Sequence, residues 1–274
     1  MNKLLKRTND LIFKVIFGSE KNIDILEDFL KAALRLPDEE FSYLRIANPF
    51  STIDKIDDKT VILDVKVYTK SKHVINVEMQ VSDDPDLRNR IVFYAAKNLT
   101  EQMHRGDDYT LKKVVNILIT DFILIKENDV YHNIYHLHDA KTGSTFTELI
   151  EINTLEIPKL KECDESPLTD WLRFLSTDKE EELKMLGQKN EKIEKATNPL
   201  YELSKDEETR MLYDAREKTK WAEQSRLRGA EEKGVLKGLT ETAKNFLRMG
   251  LSPQQVMEGT GLEMDEIERI RLKL

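Results

Sequence analysis

The chain has 274 residues, 39% apolar and 34% charged, with a formal net charge of −8. That is ample apolar content for a core, and the excess of charge over the usual quarter points to long solvated helices. No run of about eighteen apolar residues offers a membrane span, and a single cysteine, Cys163, excludes an internal disulfide or a cysteine zinc cluster.

A reducing cytoplasm is the expected setting. The basic, partly apolar N-terminus is interrupted by Asp10 and Lys14 and lacks a small-residue cleavage site, so no secretory signal is expected. Residues 1–150 hold 21 basic against 24 acidic side chains. The remainder holds 43 − 21 = 22 against 51 − 24 = 27. Neither half is basic enough to grip DNA by bulk electrostatics, so any DNA contact must be a local patch.

Helical periodicity covers residues 8–36, carried by Ile12, Phe13, Ile16 and Phe17 and then by Ile23 to Leu36, and it stops at Pro37. Two β-branched runs follow, 61–69 and 74–81, separated by the polar stretch 70–73, and they read as a hairpin. Leu87 to Arg105 is predicted as a helix closed by Gly106. Further strands are predicted at 114–125, 130–138 and 145–157. After Pro158 strand signals vanish, and 168–249 is charged and helical, loosened between Gly229 and Gly238 as a hinge or a broken helix. Short helices end the chain, one opened by Ser252-Pro253. The expected division is an α/β core over 1–160, a helical region over 161–228 packing on it, and a small helical tail over 229–274.

The hairpin carries the candidate chemistry. Strand alternation puts Asp64, Lys66 and Tyr68 on one face, and Asn76, Glu78 and Gln80 on one face of the second strand. With a three-residue loop at 70–72, cross-strand partners sum to 142, which sets Asp64 opposite Glu78. Opposed like charges destabilise a sheet, so either a hard divalent cation sits between them or Lys66 neutralises the face.

Asp64 followed by Glu78-Met-Gln80 resembles the core of the PD-(D/E)XK nucleases in a Glu-x-Gln form. Other blocks resemble its recombination-promoting nuclease (Rpn-like) and transposase branch. These are Asp10-Leu-Ile-Phe13-Lys14-Val-Ile-Phe17, Asn76-Val-Glu78-Met-Gln80, Arg90 to Tyr94 with Gly106 to Tyr109, Tyr213 to Arg216, and Gly250 to Leu262. The resemblance implies an α/β fold of the restriction-endonuclease-like type, a mixed-sheet core followed by a helical C-terminal region. It implies Mg²⁺, with Mn²⁺ as a substitute, held by Asp64 and Glu78, and metal-assisted hydrolysis of a phosphodiester. Gln80 stands where the superfamily normally has lysine; it can hydrogen-bond water but brings no charge. Lys14 or Lys66 could supply that charge, Asp10 is a supporting acid, and Arg90 and Tyr94, one helical turn apart, are candidates for phosphate contact or for plain packing.

His132, His136 and His138 share a strand, but no placed carboxylate completes a zinc set, and exposed strand polarity is the preferred reading. Residues 251–274 carry five acids against three bases, which disfavours DNA reading by the terminal helices. The expectation is therefore a metal-dependent DNA endonuclease linked to recombination or a mobile element, with DNA as partner, no membrane, and a homo-oligomer compatible with the sequence. The alternative is a catalytically weak or inactive relative that serves as a nucleic-acid-binding or protein-interaction module.

Overall fold

The computed structural model describes residues 4–47 and 65–274. Helices α1 (Asp10–Phe17), α2 (Ile23–Ala33) and α3 (Asp38–Phe41) come first. The Asn9 side chain accepts the Leu11 amide and caps α1, and Ile12, Phe13, Ile16 and Phe17 bury its apolar face. Gly18 ends the helix where a Cβ would lie 2.7 Å from the Lys14 carbonyl oxygen, so only glycine fits.

The described strands are β1 (Arg45–Ile46), β2 (Val65–Tyr68), β3 (Val74–Gln80), β4 (Val114–Thr120), β5 (His132–His138) and β6 (Thr145–Glu156). They form one sheet in the order β1-β2-β3-β4-β6-β5. The pairs β1–β2, β2–β3 and β5–β6 are antiparallel, while β3–β4 and β4–β6 are parallel. Between β3 and β4 lies α4 (Leu87–Thr100). It ends at Thr100, short of the predicted Arg105; Gly106, at φ +96°, closes the turn after the helix rather than the helix itself.

The hairpin register is as the alternation predicts. Val65 pairs with Val77, Lys66 with Asn76, Val67 with Ile75 and Tyr68 with Val74, each pair summing to 142. Lys72, at φ +65°, supplies the left-handed residue that a three-residue loop needs. Glu40 holds this loop: it accepts from Thr69 Oγ1 (2.7 Å), the Ser71 amide (3.1 Å) and Ser71 Oγ (2.5 Å). Burial raises the Glu40 carboxyl, but the hydrogen bonds from Ser71 and Thr69 outweigh it and bring it down to about 2.

One face of the sheet, with Val65, Val67, Ile75, Val77, Val115 and Ile117, packs into the main core with α1 and α2. That core also takes in α5 (Pro167–Ser176), α6 (Glu180–Lys189) and α7 (Glu191–Lys205). Helix α5 begins with a capping box between Ser166 and Thr169 and with Pro167 in its first turn. Its Trp171 packs edge-on to Phe17, Phe29 and Phe174 and donates to Asp28 Oδ2 (2.9 Å). The opposite face of the sheet is covered by α4, whose Leu87 and Ile91 pack on Leu118, Leu124 and Ile125. This is the mixed-sheet α/β core followed by helices that the sequence implies.

The chain divides into two compact units, Met1–Tyr213 and Asp214–Leu274, with the division inside α8 (Glu207–Arg248). Helix α8 runs without interruption through Gly229, Gly234 and Gly238, where a hinge or break was expected. Isolated glycines cost a helix about 1 kcal/mol each, and the intervening Ala, Glu, Lys and Leu residues are strong helix formers. The second unit has its own small core of Ala243, Val256, Leu262, Ile267 and Ile270. There α9 (Pro253–Thr260) opens on a Ser252–Gln255 capping box and closes on Gly261 at φ +70°, and α10 (Met264–Arg271) follows. No helix among the described residues is long and apolar enough to cross a membrane.

Candidate active site

The described part of the hairpin's polar face is buried at its centre, while Lys66, Tyr68 and Gln80 are half-buried. Glu78 is 6% exposed and Asn76 7%. Glu78 Oε1 accepts from Gln80 Nε2, two residues on along the same face, and from Arg90 Nη2 of α4 at 3.1 Å. Arg90 Nη1 also bonds Asp84 Oδ2 at 2.8 Å, so its guanidinium bridges the strand acid and the loop that enters α4. Glu78 Oε2 is buried and has no hydrogen-bond partner among the described residues. A carboxylate with one oxygen fully engaged and the other buried and unsatisfied is energetically exposed unless something positive meets it. An oxygen ligand in that state suits a hard divalent cation.

Asp64, the other predicted acid, lies outside the described residues. Lys66 Nζ donates to Asn98 Oδ1 (2.6 Å) and lies 3.6 Å from Glu101 Oε2, both near the C-terminal end of α4. The cation brought against Glu78 is therefore Arg90, of the supporting candidates. Asp10 occupies the first turn of α1 and its Oδ1 accepts the Leu11 amide (2.9 Å), while Lys14 is buried in the same helix. No hydrogen bond or ion pair among the described residues joins Asp10 or Lys14 to Glu78 or Gln80. Tyr94 is 39% exposed and packs against Phe93 with ring centroids 5.6 Å apart.

Two buried residues near this face were not singled out from the sequence. Asn116, the β4 register partner of Asn76, is buried with neither amide atom hydrogen-bonded. Glu156, at the end of β6, is fully buried; its Oε2 accepts the Leu124 and Ile125 amides (2.8 and 3.1 Å) and its Oε1 meets Lys159 Nζ at 3.1 Å. The Lys159 three residues on was the one sequence signal for that pair.

The three histidines take separate partners. His132 Nε2 pairs with Asn153 Oδ1 (2.8 Å), His136 Nε2 with Glu151 Oε2 (2.9 Å) and His138 Nδ1 with the Gly143 carbonyl (3.1 Å). Lys113 Nζ lies 2.6 Å from Glu151 Oε2, so that carboxylate is already ion-paired. No group of three metal-binding side chains occurs among the described residues.

The architecture is an α/β one, a mixed sheet with α4 on one face and the main helical core on the other. A family model described as PD-(D/E)XK nuclease family transposase matches residues 7–230, most of the chain, and the protein belongs to that family. No curated protein and no solved structure matches it.

Proposed function

We propose that this protein is a metal-dependent DNA endonuclease that hydrolyses phosphodiester bonds in the service of recombination or a mobile element. The observation that carries this reading is the buried, partnerless Oε2 of Glu78, beside an Oε1 already held by Gln80 and Arg90. Asp64 and Glu78 would hold Mg²⁺, or Mn²⁺ in its place. The register of the described hairpin pairs, 142, is the sum that 64 and 78 also give. Bound there, the ion would supply Lewis-acid charge and lower the pKa of the attacking water. Arg90 fixes the Glu78 rotamer and keeps Oε2 turned away from other donors. The Gln80 carbonyl oxygen would orient water while its NH₂ holds Glu78.

One observation favours the second reading, a weakly active relative used as a binding or interaction module. The two nitrogens best placed to replace the missing lysine, Gln80 Nε2 and Lys66 Nζ, are bonded to Glu78 and Asn98. Plasmid DNA incubated with the protein and Mg²⁺ or Mn²⁺, then with EDTA, separates the two. Nicking that requires metal and is lost in Asp64→Ala and Glu78→Ala supports the enzyme. Full nicking by either variant contradicts the metal assignment, and no nicking by the wild type supports the module.

A further inference from the structure

The face of the sheet that carries Glu78 also floors a cavity. Ile91 and Val92 of α4 line it together with Leu118, Ile152 and Thr154 of the sheet, and the polar Arg88, Glu127 and Asn128 also border it. Its volume is about 570 Å³, inside the range of roughly 300–1,000 Å³ typical of small-molecule sites. Thr154 is 3% exposed, and its hydroxyl has the Tyr135 hydroxyl as neighbour. A largely apolar chamber with two neighbouring hydroxyls and an amide in its lining suits a mostly apolar occupant with a polar edge.

The cavity is tied to the catalytic face by register. Glu78, Leu118 and Thr154 are partners across β3, β4 and β6. Thr154 therefore stands two strand spacings, about 10 Å, from Glu78 on the same side of the sheet. Helix α4 serves both places: Arg90 bonds Glu78, and its neighbours Ile91 and Val92 line the cavity. A strand whose phosphate lies at Glu78 would run past the half-exposed Arg88, whose guanidinium donates to the Leu124 carbonyl (2.7 Å) and lies 3.7 Å from Glu127.

We infer that this cavity receives one unstacked base of the nucleic-acid strand whose backbone lies at Glu78. This rests on the nuclease reading and names a substrate feature, a base that is unpaired or easily extruded. Apolar side chains take the faces of the ring, and the Thr154 and Tyr135 hydroxyls meet its polar edge, as sites for extruded bases require. The protein then favours single-stranded or distorted DNA over intact duplex.

The test is fluorescence anisotropy of the full chain in EDTA, so that cleavage plays no part. The probes are a short labelled oligothymidylate and a sugar–phosphate strand of equal length without bases. The expected result is binding about tenfold tighter to the base-bearing strand, the scale of one sequestered base. Ile152→Trp, which fills the cavity, should abolish that preference and leave affinity for the baseless strand unchanged; Thr154→Val should reduce the preference. Val92→Trp, at an exposed rim position, repeats the test should the Ile152 variant fail to fold. Equal binding of the two strands by the wild type overturns the inference, as does a preference that survives filling; a cavity made for an apolar side chain of a partner protein would give the first of these. Base-dependent binding without metal-dependent nicking would instead sink the nuclease reading alone.

Discussion

Two buried glutamates stand on the same face of the sheet, two strands apart, and differ in how their oxygens are used. Glu156 has both oxygens occupied, by two backbone amides and the Lys159 ammonium. Glu78 has one oxygen shared by Gln80 and Arg90 and the other without a partner. The first arrangement closes a structural pair that pins the loop after β4 to the end of β6. The second leaves an acceptor that no donor among the described residues meets. Burial alone marks neither as functional; the accounting of each oxygen does.

The difference can be broken from the structural side first. Glu156→Ala strands a buried Lys159 ammonium and two backbone amides, and it should cost about 3–5 kcal/mol. Urea unfolding measures this, and a loss below about 1 kcal/mol would mean that water replaces the carboxylate easily. Arg90→Ala removes the cation from the buried Glu78 carboxylate, which should cost about 1–3 kcal/mol of stability and lower cleavage or metal affinity about 10–100-fold. Arg90→Lys should restore part of it, because one donor can still reach Oε1. Arg90 is a positioning residue in this account, so the metal concentration for half-maximal nicking should rise more than substrate affinity falls.

Gln80→Lys sharpens the comparison differently. It places an ammonium beside Arg90 and next to the proposed ion, and like charges so close repel. The metal concentration for half-maximal cleavage should rise about tenfold by the same Coulomb estimate. A gain in activity at unchanged metal demand would show that the site tolerates, and lacks, a lysine.

The smallest effect concerns the loop that sets the register. Glu40 is held down at about 2 from a usual 4.5, so its contribution is complete above about pH 4.5 and is lost as pH falls through about 2. Glu40→Gln should remove that pH dependence and lower stability at neutral pH by about 1–3 kcal/mol, the scale of hydrogen bonds to a charged group. Urea unfolding at pH 3 and pH 7 checks both.

The hairpin register was legible because a period of two and a three-residue turn leave few pairings. The burial of its polar face was not. Alternation reports only that Asn76, Glu78 and Gln80 share a side, and the helix that covers them docks through contacts such as Arg90 to Glu78, twelve residues apart. Arg90 was a candidate for phosphate contact or for plain packing; the structure sets it against Glu78, a pairing that no local pattern encodes. The unbroken α8 was misread because three glycines weigh heavily in a local reading, while the helix formers between them carry the segment. Glu156 escaped notice because nothing near it in sequence, apart from Lys159, announces the backbone amides that it binds.

The central claim is that Glu78 Oε2 is a ligand held open for a divalent cation. The most direct measurement follows the thermal midpoint of wild type and Glu78→Gln as Mn²⁺ is added, since a ligand at 100 times its Kd stabilises by about 2.7 kcal/mol. Arg90 keeps Asp84 as partner in the variant, so the two proteins should unfold at similar temperatures without metal. The account predicts a midpoint that rises with Mn²⁺ in the wild type and stays flat in Glu78→Gln. An equal rise in both would contradict it.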